Sequence, residues 1–120
     1  MLIRSQDKTI IVNVDNVFNI AIRDINGATA IYIGSSSSCC NIAEYSTKAK
    51  AMKVLDMIQE AYADFESVKI TNTGLAAAAY TGNYDTSESV SYGIKVLKDY
   101  AEMIKESVVF QMPEDSEVEV

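Results

Sequence analysis

Phe18-Asn19-Ile20-Ala21-Ile22-Arg23-Asp24-Ile25-Asn26-Gly27-Ala28-Thr29-Ala30-Ile31-Tyr32-Ile33 is the stretch that decides the fold class. Phe18, Ile20 and Ile22 alternate with Asn19, Ala21 and Arg23, and Thr29, Ile31 and Ile33 alternate with Ala30 and Tyr32. β-Branched and aromatic side chains at period two describe strands with one buried face. Between them, Asn26-Gly27 is the signature of a two-residue primed turn, because both of its residues need positive φ.

The same alternation continues on both sides. Ile10, Val12 and Val14 alternate with Ile11 and Asn13, with turn chemistry at Gln6-Asp7-Lys8 before them and Asp15-Asn16 after. Beyond Ile33, a loop from Gly34 through Cys39, with Ser35 to Ser38 at its centre, leads to a short strand around Asn41 to Tyr45. Successive short strands of this kind predict an antiparallel meander.

At Ser46-Thr47 the period changes. Ala51, Val54, Leu55, Ile58, Ala61, Tyr62 and Phe65 recur at three- and four-residue steps, the apolar face of a helix. Ser46 or Thr47 supplies its N-cap oxygen. A second helix is read from Val90, Ile94, Leu97, Ala101 and Ile104, whose alternating steps of four and three form a seam against one neighbour. It opens at Asp85, Thr86 or Ser87. Ser107 to Met112 reads as a last strand stopped by Pro113, and Glu114 to Val120 as a self-repelling acidic tail. Val68 to Tyr84 stays open: Val68-Lys69-Ile70-Thr71 suits a strand, the alanines within Leu75 to Tyr80 suit either element, and Gly82-Asn83 is a break. The expectation is therefore one α+β domain over 1–113, with an antiparallel meander covered on one face by two helices and a C-terminal strand returning to the sheet. Residues 114–120 are expected as a mobile tail.

Composition narrows the function. The 120 residues carry ten Lys plus Arg against seventeen Asp plus Glu, a net charge of −7. That balance argues against direct nucleic-acid binding, which depends on clustered cations. Without any histidine, the commonest general base and metal ligand is missing. Cys39 and Cys40 are neighbours, with Cα atoms about 3.8 Å apart, too close for an unstrained disulfide. Two thiols alone do not complete a zinc site, and the serines around them offer no cation to form a thiolate. Asp24-Ile25-Asn26-Gly27 lacks the ligand spacing of a calcium loop, and the five glycines are too scattered for a nucleotide fingerprint. The charge-free run Ile25 to Ala43 contains too many polar residues for a membrane span. No apolar signal stretch opens the chain, and the expected location is the cytoplasm. No catalytic, cofactor-binding or metal residues are assigned.

Tyrosine is the more suggestive feature, since it joins apolar area to a polar tip and favours contact surfaces. Tyr80, Tyr84 and Tyr92 are the candidate contacts to a protein partner or to a second copy of the chain.

Ile3-Arg4-Ser5-Gln6-Asp7-Lys8, Tyr45-Ser46-Thr47-Lys48-Ala49-Lys50-Ala51-Met52-Lys53-Val54-Leu55-Asp56 and Val109-Phe110-Gln111-Met112-Pro113-Glu114-Asp115 resemble blocks in small uncharacterised proteins of Firmicutes and their phages and mobile elements. The resemblance implies a bacterial or phage setting and carries no site. The function expected is a non-catalytic interaction or assembly module. The alternatives are an acidic inhibitor of a nucleic-acid-binding protein and a histidine-free enzyme.

Overall fold

The computed structural model of the chain describes residues 1–34, 39–81 and 87–120, with the backbone alone over 72–81 and at 87 and 89. Its elements are β1 (Leu2–Arg4), β2 (Ile11–Asn13), a 3-10 turn (Val14–Asn16), β3 (Asn19–Ile25), β4 (Ala28–Gly34), β5 (Cys39–Tyr45), α1 (Lys48–Thr81), α2 (Ser87–Ser107), β6 (Val109–Gln111) and a second 3-10 turn (Asp115–Glu117). The fold is α+β, as the two hydrophobic periods predict.

The chain divides into two compact units, Met1–Tyr62 with Val109–Val120 and Ala63–Val108. In the first, β3, β4 and β5 form an antiparallel meander. Its first turn has the predicted geometry, with Asn26 at φ 48° and Gly27 at φ 86°. Pairing of β4 with β5 slips by one residue, from Ile31↔Ala43 to Tyr32↔Asn41, so Ile42 is the extra residue of a bulge. The bulge resets the alternation, and Ile42 and Ala43 are both buried.

The strands do not make one continuous sheet. β2, β1 and β6 form a second sheet in which β6 lies parallel to β1, Ile3 opposite Phe110. The returning strand is thus present, and it joins this smaller sheet. Gln6, in the turn after β1, links the two sheets. Its N–H donates to the Ile42 carbonyl at 2.8 Å. Its side-chain amide accepts from Glu44 N–H at 3.0 Å and donates to the Glu44 carbonyl at 3.1 Å, as a strand residue would.

Within the first unit, Ala51, Val54 and Ile58 on the opening half of α1 are buried together with Ile3, Ile31, Ile33 and Ile42 from the strands. Each aliphatic side chain of this size contributes about 1.5–3 kcal/mol on full burial. Thr47 Oγ1 accepts from Lys50 N–H at 3.2 Å, the predicted cap.

Within 114–120, the segment expected as a mobile tail, residues 115–119 make defined contacts. Asp115 accepts from Ser46 N–H at 2.7 Å and pairs with Lys50 at 3.2 Å, and the Lys53 ammonium donates to the Glu119 carbonyl. A carboxylate at the start of α1 also meets the positive end of the helix dipole. Val118 is buried, so the segment is held by an apolar anchor as well as by charge.

In the second unit α1 continues unbroken through Val68–Thr71 to Thr81, so the strand alternative for that segment does not occur. α2 is its partner: Ser67, Val68 and Thr71 share a cavity of about 150 Å³ with Tyr100 and Met103. The expectations for Ser35 to Ser38, for Gly82-Asn83, for Tyr84 and for the Asp85 cap lie outside the described residues.

Candidate functional site

The seam of α2 does not pack where its spacing suggests. Gly93, Val96, Tyr100 and Ser107 are half-buried, while Val90, Ile94 and Leu97 are 42%, 49% and 43% exposed and Ala101 is exposed. At 3.6 residues per turn the covered face is centred roughly 90° around the helix from the seam. Only Ile104, half-buried, belongs to both. α2 therefore turns Gly93, Val96, Tyr100 and Ser107 inward and leaves the row Val90, Ile94, Leu97 and Ala101 exposed. Lys98 and Lys105 run along the flank of that row away from the covered face; both are exposed. An unbroken apolar row rimmed by charge is the usual anatomy of a contact surface.

Of the three candidate tyrosines, only Tyr92 has a described side chain to place against this row. Tyr92 is 71% exposed, but two residues from Val90 it projects from nearly the opposite side of α2. Tyr80 lies in α1, and its side chain is outside the described residues; Tyr84 is outside them altogether. The seam spacing pointed to the row; only the structure shows which face α2 covers.

Ionisable groups are arranged structurally. Asp7 accepts from the hydroxyl of Ser5 at 2.7 Å, the hydroxyl of Thr9 at 2.7 Å and the N–H of Thr9 at 3.0 Å. Ser5 foremost, then Thr9, holds its pKa down at about 2. A carboxylate so saturated is a poor proton donor near neutrality. Asp115 is likewise held low, chiefly by the N–H of Ser46 and further by the hydroxyl of Ser46 and the ammonium of Lys50. Burial pushes the Tyr45 phenol well up, assisted by the carboxylates of Glu114, Asp115 and Glu117. Cys39 and Cys40 are free thiols, exposed and half-exposed. Among the described residues no three metal-ligating side chains converge, and no helix is long and apolar enough to cross a membrane.

A feature with no signature in the sequence is an apolar groove of about 340 Å³ in the first unit. Met1, Val14, Ile20, Leu55, Ile58, Gln59 and Tyr62 line it. Period two marks Val14 and Ile20, and helical spacing marks Leu55, Ile58 and Tyr62, as apolar-face residues, whereas neither pattern marks Met1 or Gln59. Comparison with family models, curated proteins and solved structures finds no match to this chain.

Proposed function

We propose that the chain is a non-catalytic protein–protein interaction module whose contact face is the α2 row Val90, Ile94, Leu97 and Ala101. One observation carries this: α2 covers one face, with Val96, Tyr100 and Ile104, and leaves a second apolar row, Val90, Ile94, Leu97 and Ala101, exposed. Leaving three branched aliphatics about half exposed forgoes roughly 1 kcal/mol each, which a partner recovers on binding. The resemblance to bacterial and phage proteins gives the setting, an intracellular assembly in a reducing cytoplasm. An acidic-inhibitor role is less well supported, because Asp115, one of the carboxylates it would need, is engaged with Ser46 and Lys50.

The test is Ile94→Asp with Leu97→Asp, compared with the parent by sedimentation equilibrium and by capture from native lysate. Because both side chains are already near half exposure, the variant keeps the parent's melting temperature. The expected outcome is that the parent's self-association, or its captured protein, is lost in the variant. A variant that sediments and captures as the parent does refutes the assignment.

A further inference from the structure

We propose that the outer edge of β3, together with the apolar groove beside it, binds an extended segment of another protein by strand addition, independently of α2. β3 is seven residues long and is the outer strand of β3–β4–β5; among the described residues no strand pairs with its other side. The opposite edge of the same sheet is treated differently, for Gln6 bonds there to both Ile42 and Glu44. Long edge strands are ordinarily guarded by charges that repel a second strand. β3 has two charged side chains, and both turn back across its own sheet. The Arg23 guanidinium lies 4.9 Å from the Tyr32 ring centre and donates to Asn41 Oδ1 at 3.0 Å. Asp24 accepts from the Thr29 hydroxyl at 3.2 Å. Among the described residues, both charged side chains of β3 are thus engaged on its own sheet, and no strand covers the backbone groups of its outer edge.

The groove supplies what a bare edge lacks, a place for side chains. Ile20 of β3 lines it together with Val14 and with Leu55, Ile58 and Tyr62 of α1. A helix in the groove would leave the β3 edge unpaired, whereas an extended chain uses both features at once. Main-chain bonds to the edge give affinity, and every second side chain enters the groove. Phe18, 77% exposed at the head of β3, gives the added strand an aromatic surface to cover. Charge selects among such segments. Asp15 follows Val14 and Asp56 follows Leu55, and both carboxylates are exposed. The segment that fits is therefore apolar at alternate positions and basic between them.

The probe is a heptapeptide alternating valine with lysine, titrated into the full chain and followed by the backbone amide NMR spectrum. The expected result is saturable shifts confined to Asn19–Ile25 and the groove-lining residues, with the α2 amides unmoved. A heptapeptide alternating valine with glutamate binds more weakly, and Asp56→Lys, an exposed change that spares the fold, weakens the lysine peptide about fivefold. Ile94→Asp with Leu97→Asp leaves the binding intact, so failure here and failure of the α2 assignment are separate results. No saturable shift, equal binding of the two peptides, or shifts centred on α2 overturns the proposal. Protection of the β3 amides by self-association of the chain alone also overturns it, in favour of a second copy at that edge.

Discussion

Tyr45→Phe isolates a single bond in the seam between β5 and the C-terminal segment. Tyr45 is 1% exposed, and its hydroxyl donates to the Pro113 carbonyl at 2.9 Å. Phenylalanine keeps the ring, so packing is conserved and no cavity opens. Pro113 also accepts from the Gln6 side chain at 3.1 Å, so its carbonyl keeps one partner after the change. The loss is therefore that of one net hydrogen bond, about 1 kcal/mol, and not the larger penalty of an orphaned carbonyl. In a chain of this size that lowers the melting temperature by roughly 4–6 °C. Urea unfolding followed by circular dichroism should show a lower midpoint with an unchanged slope. An alkaline arm checks the same group. The folded pKa of Tyr45 lies above the ordinary tyrosine value, so the folded chain holds its proton where the unfolded chain releases it. Stability from this group is complete below pH about 10 and is lost as pH rises from there through the folded pKa. The phenylalanine variant lacks this part of the alkaline loss. A variant as stable as the parent, or one destabilised by more than about 3 kcal/mol, would refute the account of this contact.

Ile58→Asp places an unpaired charge among the buried faces of α1 and the strands and should cost several kcal/mol, roughly 3 or more, enough to abolish a cooperative melt. Gly27→Ala forces an L side chain to φ 86°, where nothing crowds the new methyl, so the expected loss is the backbone term alone, about 1–2 kcal/mol by urea titration. Toward acid, Asp7 and Asp115 have folded pKa values below the ordinary aspartate value, so at low pH the unfolded chain binds more protons. Their contribution is present above pH about 4 and declines as pH falls toward 2. Asp7→Asn with Asp115→Asn should flatten that decline, and an unaltered acid profile would contradict the hydrogen-bond assignments.

The local chemistry was legible where a single residue type dictates a single conformation. Asn26-Gly27 is the turn it reads as, because positive φ excludes most alternatives there. The step from period two to three-and-four marks the start of α1 within two residues. Lateral arrangement was not legible, since alternation says which way a side chain faces and not which strand lies beside it. The link between the two sheets runs through Gln6, an unremarkable polar residue whose amide happens to match the backbone of Glu44. The bulge at Ile42 lets the adjacent Ile42 and Ala43 both be buried, which strict alternation along one strand does not allow. Val68, Ile70 and Thr71 are β-branched yet helical, a case of context overriding propensity. The C-terminal acidic run was read as self-repelling, and repulsion does hold for isolated charges. It loses here to one carboxylate, Asp115, aimed at Ser46 and Lys50, and to the burial of Val118. For the candidate site, spacing revealed the aliphatic row on α2 but not that α2 covers a face a quarter-turn away.

Site-specific photocrosslinking in the native cell tests the contact assignment most directly, with benzoylphenylalanine placed either at Ala101, on the α2 row, or at Tyr92, on the far side of the same helix. The account predicts a discrete protein adduct from position 101 and none from 92. Adducts from 92 alone, or from neither position, would contradict it.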